Sequence, residues 1–376
     1  MIKKYKSMSI LELKRILHKK GFKISKLKSN AIEKYYKSFY LTTLSSFLII
    51  GFFSLLPLIS HIYDQTFLKP KFKDNLSKKY LEKVLSGEEL ITEKSTDDSF
   101  DHRNLYEDVE FKDGPSKSVR IEASILNEIF KDKNYFLKNV RKQKFVKAFE
   151  VGMLPEEMKN IESSKERKDL FIKIVLPLIL SENNRIKRDR VMLFKILNKN
   201  NNSKIENEWL LSKFKQYGVK SKDLSTLKIR MDEIPVSLAI AQAAKETGWG
   251  TSRFAIEGNA LFGQWTYSGD GIKPAASDKE DKHKVMAFSV LKASVRAYQR
   301  NLNTHSSYKE FRKARAIQRD NDEPLNSLEL ANYLNEYAQT GEEYTKIVKK
   351  IIEQNNLKDF DNVKILPTSK DLKNNI

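Results

Sequence analysis

The sequence contains no cysteine and only five histidines among its 376 residues. Without cysteine the chain cannot form a disulfide framework, a thiolate zinc site or an iron–sulfur cluster, and it has no cysteine nucleophile. No phosphate-binding loop is present, and the histidines show no metal-ligand spacing with one another. We therefore predict no metal and no cofactor. The histidines are His18, His61, His102, His283 and His305.

Long hydrophobic runs are also scarce. Hydrophobic residues make up 40% of the chain and charged residues 31%. This composition excludes a polytopic membrane protein, and it provides enough apolar residues to form a hydrophobic core. At about 150 residues per domain, the length predicts two or three units. The net charge of +20 favours anionic surroundings such as nucleic acid, anionic lipid or a negatively charged wall polymer.

Acidic residues are rare in the first tenth of the chain. Residues 1–38 hold twelve basic and two acidic residues, so half of the net charge of +20 lies there. No charged residue follows from Ser38 to Tyr63, and at about 1.5 Å per residue this run crosses a hydrocarbon core of about 30 Å. A cleaved signal peptide is disfavoured because the basic lead-in is too long and no small-residue cleavage site follows. We predict one transmembrane helix at residues 38–63.

The distribution of positive charge also predicts the topology. Basic segments stay in the cytoplasm, so the N-terminus is expected inside and everything after Asp64 outside, in the periplasm or its extracytoplasmic equivalent. The protein is thus predicted to cross the inner (cytoplasmic) membrane once.

The basic segment, residues 1–37, has a pattern of its own. Ser9 and Glu12 fit a capping box, apolar residues follow at helical spacing, and Gly21 is placed to end the helix. A short extended stretch and a second helical pattern follow. This order resembles the helix-extended-helix modules of the SAP and LEM type, some of which bind DNA. Two interpretations stay open: weak nucleic-acid binding, or contact of the lysines with anionic lipid headgroups.

The chemistry of the distal part concentrates after Asp232, which we expect to cap a helix that has Pro235 in its first turn. The helix is apolar over most of its surface and is therefore predicted to be buried. Gln242 and Glu246 lie four residues apart, hence on one face. A carboxylate at the negative end of the helix dipole, near the water-excluding ring of Trp249, should have a raised pKa. Glu246 is either a general acid or a structural glutamate paired with a lysine.

Two adjacent segments carry a resemblance to a known family. They are AAKETGWGTSRFA at Ala243–Ala255 and GNALFGQW at Gly258–Trp265. Together they resemble the core of bacterial glucosaminidases of glycoside hydrolase family 73, and most closely the Bax-like proteins. About half of the chain is covered in the right order. Further similarity lies at Ser164–Leu180, Asn183–Arg188, Tyr298–His305, Leu330–Ala338 and Tyr344–Ile352.

The resemblance implies a mainly α, α+β lysozyme-like catalytic domain with a small β-hairpin over a saccharide groove. Its bounds are 136–360, after a spacer at 64–135 and before a tail at 361–376. The implied reaction is cleavage of the β-1,4 bond after N-acetylglucosamine in peptidoglycan. The general acid of the family falls on Glu246 and its tyrosine beside the acid falls on Tyr337. The substrate-binding candidates are Gln242, Trp249, Asn259, Phe262, Trp265, Tyr298 and His305.

The second carboxylate of the family is less well matched. It falls in the charged stretch Asp278–Asp281, where we favour Glu280 over Asp278, and some Bax-like sequences carry an acid where this chain has Gln264. Three routes stay open after Glu246 protonates the glycosidic oxygen: water activated by Glu280, attack by the substrate's 2-acetamido oxygen, or attack by the muramyl 6-hydroxyl. The last would make the protein a lytic transglycosylase. A non-catalytic, wall-binding scaffold is the remaining alternative.

Overall fold

The computed structural model describes Arg15, Lys19 and residues 105–111, 118–266, 271–273 and 284–366. Arg15 and Lys19 are helical and belong to one compact unit, Met1–Lys73, whereas the other described residues belong to a second unit, Asp74–Ile376. The predicted transmembrane helix at 38–63 and most of the basic segment lie outside the described residues. Where the structure is described, no helix combines the length and the apolar character that a bilayer span requires.

The second unit is mainly helical, as predicted. Its longer elements, in chain order, are α1 Ala123–Asp132, α2 Leu137–Gln143, β1 Phe145–Val146, α3 Ser164–Leu197, α4 Lys204–Gln216, α5 Leu224–Arg230, α6 Val236–Thr247, α7 Arg253–Gly258, β2 Trp265–Thr266, β3 Gly271–Ile272, β4 Lys284–Met286, α8 Leu291–Thr304, α9 Lys309–Asp320, α10 Ser327–Leu330, α11 Glu342–Gln354 and β5 Lys364–Ile365. Short 3-10 turns lie at Glu156–Asn160, Ser306–Tyr308, Ala331–Tyr333, Asn335–Tyr337 and Leu357–Phe360.

Helix α3 is the scaffold that links two hydrophobic cores. It runs for 34 residues without a break at Pro177, and the Ser163 hydroxyl caps its start by accepting a hydrogen bond from the Glu166 amide. Its first half, around Ile174 and Ile179, packs in the larger core with α6, α8 and α11. Its second half forms a smaller core with α4, α5 and the residues that follow α4. The apolar run at residues 169–180 is therefore part of the hydrophobic core of this unit.

The helix that carries Glu246, α6, is buried along most of its length, as predicted: Leu238, Ala239 and Ile240 have no exposed surface. The expected cap is wrong. The carboxylate of Asp361 accepts the backbone and hydroxyl hydrogen bonds of Ser237, both 2.8 Å long. Asp232 lies before the helix, and its side chain faces a group of arginines instead. The predicted tail thus begins with a residue that anchors α6.

Asp232 is the centre of a buried ionic network. Its carboxylate lies 3.2 Å from Arg319, 3.8 Å from Arg315 and 3.9 Å from Arg190. Burial alone would raise the pKa of Asp232, but the three guanidinium groups outweigh it and lower the pKa to about 2. Arg315 also donates to the backbone carbonyl of Asp232. The network fixes the loop that leads into α6, because arginines of α9 bind both the carboxylate and the backbone carbonyl of Asp232.

Part of the predicted spacer at 64–135 is folded onto this unit. Leu126 and Phe130 of α1 lie in the larger core. Asp108 pairs with Arg185 of α3 at 3.1 Å and with Arg300 of α8 at 3.2 Å. The ring of Phe111 stacks on Phe288, with 5.6 Å between centroids. A boundary at residue 136 therefore cuts through packed structure, since apolar side chains before it belong to the same core.

Two small sheets complete the unit. Strand β4 lies between β2 and β3 and is antiparallel to both, pairing Val285 with Trp265 and with Ile272. This sheet stands where the resemblance implies a hairpin. Strand β5 pairs in parallel with β1, so residues of the predicted tail close the fold beside α2. Residues 274–283, between β3 and β4, include Glu280 and lie outside the described residues.

Candidate active site

Glu246 lies in the last turn of α6, and its side chain is half buried. The helix ends at Gly248, whose left-handed φ of 56° only glycine adopts without strain. Burial raises the pKa of Glu246, opposed by a hydrogen bond from Tyr344 and by the charge of Lys245. A carboxyl that keeps its proton at higher pH than usual is suited to general-acid chemistry.

The carboxyl of Glu246 is enclosed by backbone on one side and by tyrosines on the other. A Cβ atom placed on Gly263 would lie 3.1 Å from Oε2 of Glu246, so the carboxyl packs directly against that glycine. The φ of Gly263 is +61°, in the left-handed region. Tyr344 of α11, whose hydroxyl accepts a hydrogen bond from Gln242 one turn earlier on α6, lowers the pKa of the carboxyl. The loop after α7 and the start of α11 thus hold the acid between them.

Tyr337 lies beside the acid, where the resemblance places the family tyrosine. Its hydroxyl donates to the backbone carbonyl of Phe262 at 2.9 Å. Its ring stacks on Tyr344, with 5.2 Å between centroids and 15° between planes. Burial and the nearby charge of Glu246 raise the pKa of Tyr337 well above its ordinary value, so the phenol stays neutral. Its role in the reaction stays a prediction.

Three of the predicted substrate-binding residues form a buried layer behind the acid. Gln242 has no exposed surface, and its amide lies between Tyr298 and Tyr344. The ring of Phe262 stacks on Tyr298 at 3.8 Å between centroids. Gln242, Phe262 and Tyr298 are at most 2% exposed. Such side chains support the site from within, since a saccharide in a groove contacts exposed groups.

Two other candidates are open to solvent. Trp265 of β2 is 52% exposed and follows directly after the Gly263–Gln264 loop. His305 is exposed at the end of α8, and its ring lies 5.8 Å from that of Tyr308. Tyr308 in turn lies 6.0 Å from Tyr337. A row of rings therefore leads from the surface at His305 towards the acid.

The last two candidates make structural contacts. The ring of Trp249 packs edge-on against Phe171 at 5.8 Å, and Lys168 lies 5.0 Å above it. The amide nitrogen of Asn259 donates to the carbonyls of Phe288 and Ser289. Trp249 thus ties the end of α6 to α3, and Asn259 ties the end of α7 to the segment after β4. Substrate contact by either residue stays a prediction.

Tyr344 is the site residue that the sequence analysis did not single out. It appeared there only as the start of a similar segment. A local signal was present, because Tyr344, Val348 and Ile352 recur at the spacing of one helix face and are all buried. A buried tyrosine usually finds a partner for its hydroxyl. The pattern could therefore have predicted a buried hydrogen bond, although not that the partner is Gln242.

The residues of this site lie within a segment that is similar to known proteins. The glucosaminidase family model, described as mannosyl-glycoprotein endo-beta-N-acetylglucosaminidase, matches residues 224–357. This range contains α6 with Glu246, Gly263, Tyr337 and Tyr344. The protein named Protein bax of Escherichia coli (strain K12) is 32% identical over 205 residues, which are 53% of this chain and 73% of that protein.

The chain belongs to the Bax-like glucosaminidases. Its glucosaminidase domain makes it a glycoside hydrolase of the endo-β-N-acetylglucosaminidase type. The predicted membership and the predicted enzyme class are thereby confirmed. No solved structure matches the chain significantly. The glucosaminidase domain of this chain acts on glycans.

Proposed function

We propose that the protein is a peptidoglycan hydrolase that cleaves the β-1,4 bond after N-acetylglucosamine, with Glu246 as the general acid. The observation that carries the proposal is the position of Glu246: half buried, with a raised pKa, and held between Gly263 and Tyr344 within the glucosaminidase domain. The excess of positive charge suits a negatively charged wall polymer as substrate.

In the proposed mechanism Glu246 protonates the glycosidic oxygen while an oxocarbenium-like centre develops on the sugar. The exposed face of Trp265 and the ring of His305 are the surfaces on which the glycan would lie. Tyr337 has its proton committed to the carbonyl of Phe262, so towards any other group its hydroxyl oxygen can act only as an acceptor. Glu280 is the candidate for activating water, and the substrate's own acetamido oxygen is the alternative nucleophile.

The products test the function directly. Full-length protein incubated with purified sacculi is expected to release muropeptides that end in reducing N-acetylglucosamine, identified by mass spectrometry. A hydrolase adds water to the anomeric carbon, whereas a lytic transglycosylase leaves 1,6-anhydromuramic acid. Anhydro products would show that the protein is a lytic transglycosylase and not a hydrolase. A wild-type protein that binds sacculi and releases nothing would support the scaffold.

We also propose that the glucosaminidase domain works outside the cytoplasm, tethered by the apolar segment at 38–63. The support is the sequence: a basic stretch, one uncharged run of spanning length and a polar distal part. A reporter that is active only in the cytoplasm should be inactive when fused after Ile376. The same reporter fused before Met1 is the control and should be active. Activity of both fusions would contradict the topology.

A further inference from the structure

A chain of buried hydrogen bonds leads from α8 to the acid. The Tyr298 hydroxyl lies 2.7 Å from Oε1 of Gln242, and Nε2 of Gln242 lies 3.0 Å from the Tyr344 hydroxyl. Glu246 lies one helical turn after Gln242 on the same face of α6, and the Tyr344 hydroxyl lowers the pKa of its carboxyl. We propose that Tyr344 is a positioning residue that donates its proton to Glu246, and that Gln242 and Tyr298 set this direction. The inference rests on the proposed function, because it assigns a task to the acid's neighbours.

The direction of the chain follows from which atoms can donate. The amide oxygen of Gln242 only accepts, so Tyr298 must be the donor at 2.7 Å. The amide nitrogen has hydrogens and no acceptor capacity, so it donates to the oxygen of Tyr344 at 3.0 Å. The Tyr344 hydroxyl therefore keeps its own proton for a second partner. Tyr344 is only 1% exposed, and Glu246, one turn beyond Gln242 on α6, is the carboxyl whose pKa its hydroxyl lowers.

Burial makes this arrangement specific. Gln242 and Tyr298 have no exposed surface, and the stacked ring of Phe262 keeps Tyr298 in place. Turning the amide over would point its oxygen at Tyr344, which would then donate to Gln242 and leave Glu246 without a donor. In the observed orientation every hydroxyl and amide group of the chain has a partner, and one is aimed at the acid.

The consequence for catalysis is a fixed carboxyl. With the Tyr344 proton directed at one carboxyl oxygen and Oε2 packed against Gly263, the acid has little freedom to rotate. A charge-assisted hydrogen bond of this kind stabilises the ionised form. It opposes the effect of burial, which raises the pKa of Glu246. Tyr344 thus limits the rise in the pKa of Glu246, and it orients the carboxyl group.

Other titratable groups also face the acid. Among the described residues they are Lys245 on α6 and the phenols of Tyr308, Tyr337 and Tyr344, which lie on the segments packed against it. The phenols have raised pKa values and stay neutral near pH 7, and Lys245, next to Glu246 on α6, is exposed to solvent. Removing the Tyr344 hydroxyl therefore changes the donor to Glu246 without changing a charge.

The test is Tyr344→Phe in the full-length protein. We expect kcat on glycan strands to fall roughly tenfold, the effect of about one lost hydrogen bond to a charged group, while KM stays within about twofold. Glu246 works only while protonated, and without the donor its pKa rises. The alkaline limb of the kcat profile should therefore move to higher pH. A structural role alone would lower stability and leave that limb in place.

Two further variants make the test specific. Tyr298→Phe frees the amide of Gln242 to turn over, so it should shift the limb in the same direction by a smaller amount. Tyr135→Phe removes another buried hydroxyl, which donates to the carbonyl of Lys173 at 3.0 Å in α3, and should leave the profile unchanged. An unshifted limb in Tyr344→Phe, or an equal shift in Tyr135→Phe, would overturn the inference.

A readout that does not need turnover separates the inference from the proposed function. Carbon-13 NMR of protein labelled at glutamate carboxyls, with the Glu246 signal identified by its loss in Glu246→Gln, gives the pKa directly. We expect a higher pKa in Tyr344→Phe than in wild type, whether or not sacculi are the substrate. An unchanged pKa overturns the positioning role. A shifted pKa in a protein that leaves sacculi intact overturns only the proposed function.

Discussion

Replacing Glu246 by glutamine is expected to abolish most of the turnover on sacculi, by a factor of about 10² to 10⁴, the usual contribution of a positioned general acid. Glutamine keeps the shape and can still accept the hydrogen bond from Tyr344, so the fold and the binding of sacculi should remain. The amide has no proton of suitable acidity for the glycosidic oxygen. Release of muropeptides, measured by mass spectrometry over time, gives the ratio of rates.

Glu257→Gln is the matched control for this loss. It makes the same chemical change on α7, at an exposed position, and should leave turnover within about twofold of wild type, as surface substitutions usually do. Glu280→Gln is the informative companion. A loss as large as that of Glu246→Gln would identify a water-activating base, and a small loss would favour the acetamido route. Wild-type rates in Glu246→Gln would remove the acid from the mechanism.

The second large effect is expected from Gly263→Ala. A methyl group there would lie 3.1 Å from Oε2 of Glu246, closer than an ordinary contact, so the carboxyl must move by some tenths of an ångström or more. Catalytic groups displaced by about 1 Å lose roughly 10²-fold in rate. We expect kcat to fall by about that factor while binding to sacculi persists. Rates on glycan strands and a sedimentation assay with sacculi measure the two quantities.

A second glycine separates crowding from backbone strain. Gly341 also has a positive φ, +54°, but an added Cβ would meet nothing within 4 Å. Gly341→Ala should therefore lower the melting temperature as the strained backbone predicts, with a much smaller effect on kcat. Equal losses of kcat in the two variants would mean that strain, rather than displacement of Glu246, explains the result for Gly263.

The position of the acid could be predicted from the sequence because helix spacing is a local property. Gln242 and Glu246 share a face of an otherwise apolar helix, and the structure buries that helix. The cap of the same helix could not be predicted. Aspartate is a common capping residue, so Asp232 was the natural candidate. The carboxylate that binds the start of α6 comes instead from Asp361, 124 positions after Ser237. Asp232 forms ion pairs with three arginines that folding brings together.

The predicted cause of the raised pKa was partly right. Burial does raise the pKa of Glu246. The tryptophan thought to exclude water from the acid, Trp249, places its ring against Phe171 and Lys168 of α3. A left-handed φ of 61° at Trp249, directly after Gly248, sets its direction, and such turn geometry is not visible in residue spacing. Tyrosines and a glycine of other segments take part in enclosing the acid.

The sequence by itself determined the family, the helix that carries the acid, the candidate acid and tyrosine, and the absence of cysteine chemistry, because each depends on residue identity or on local spacing. The tertiary structure alone decided which groups touch the acid. The contact of Gly263 with Glu246, and the path from Tyr298 through Gln242 to Tyr344, join segments up to 102 positions apart. Such contacts depend on how α6, α8 and α11 pack, since hydrogen bonds act over about 3 Å in space regardless of separation along the chain.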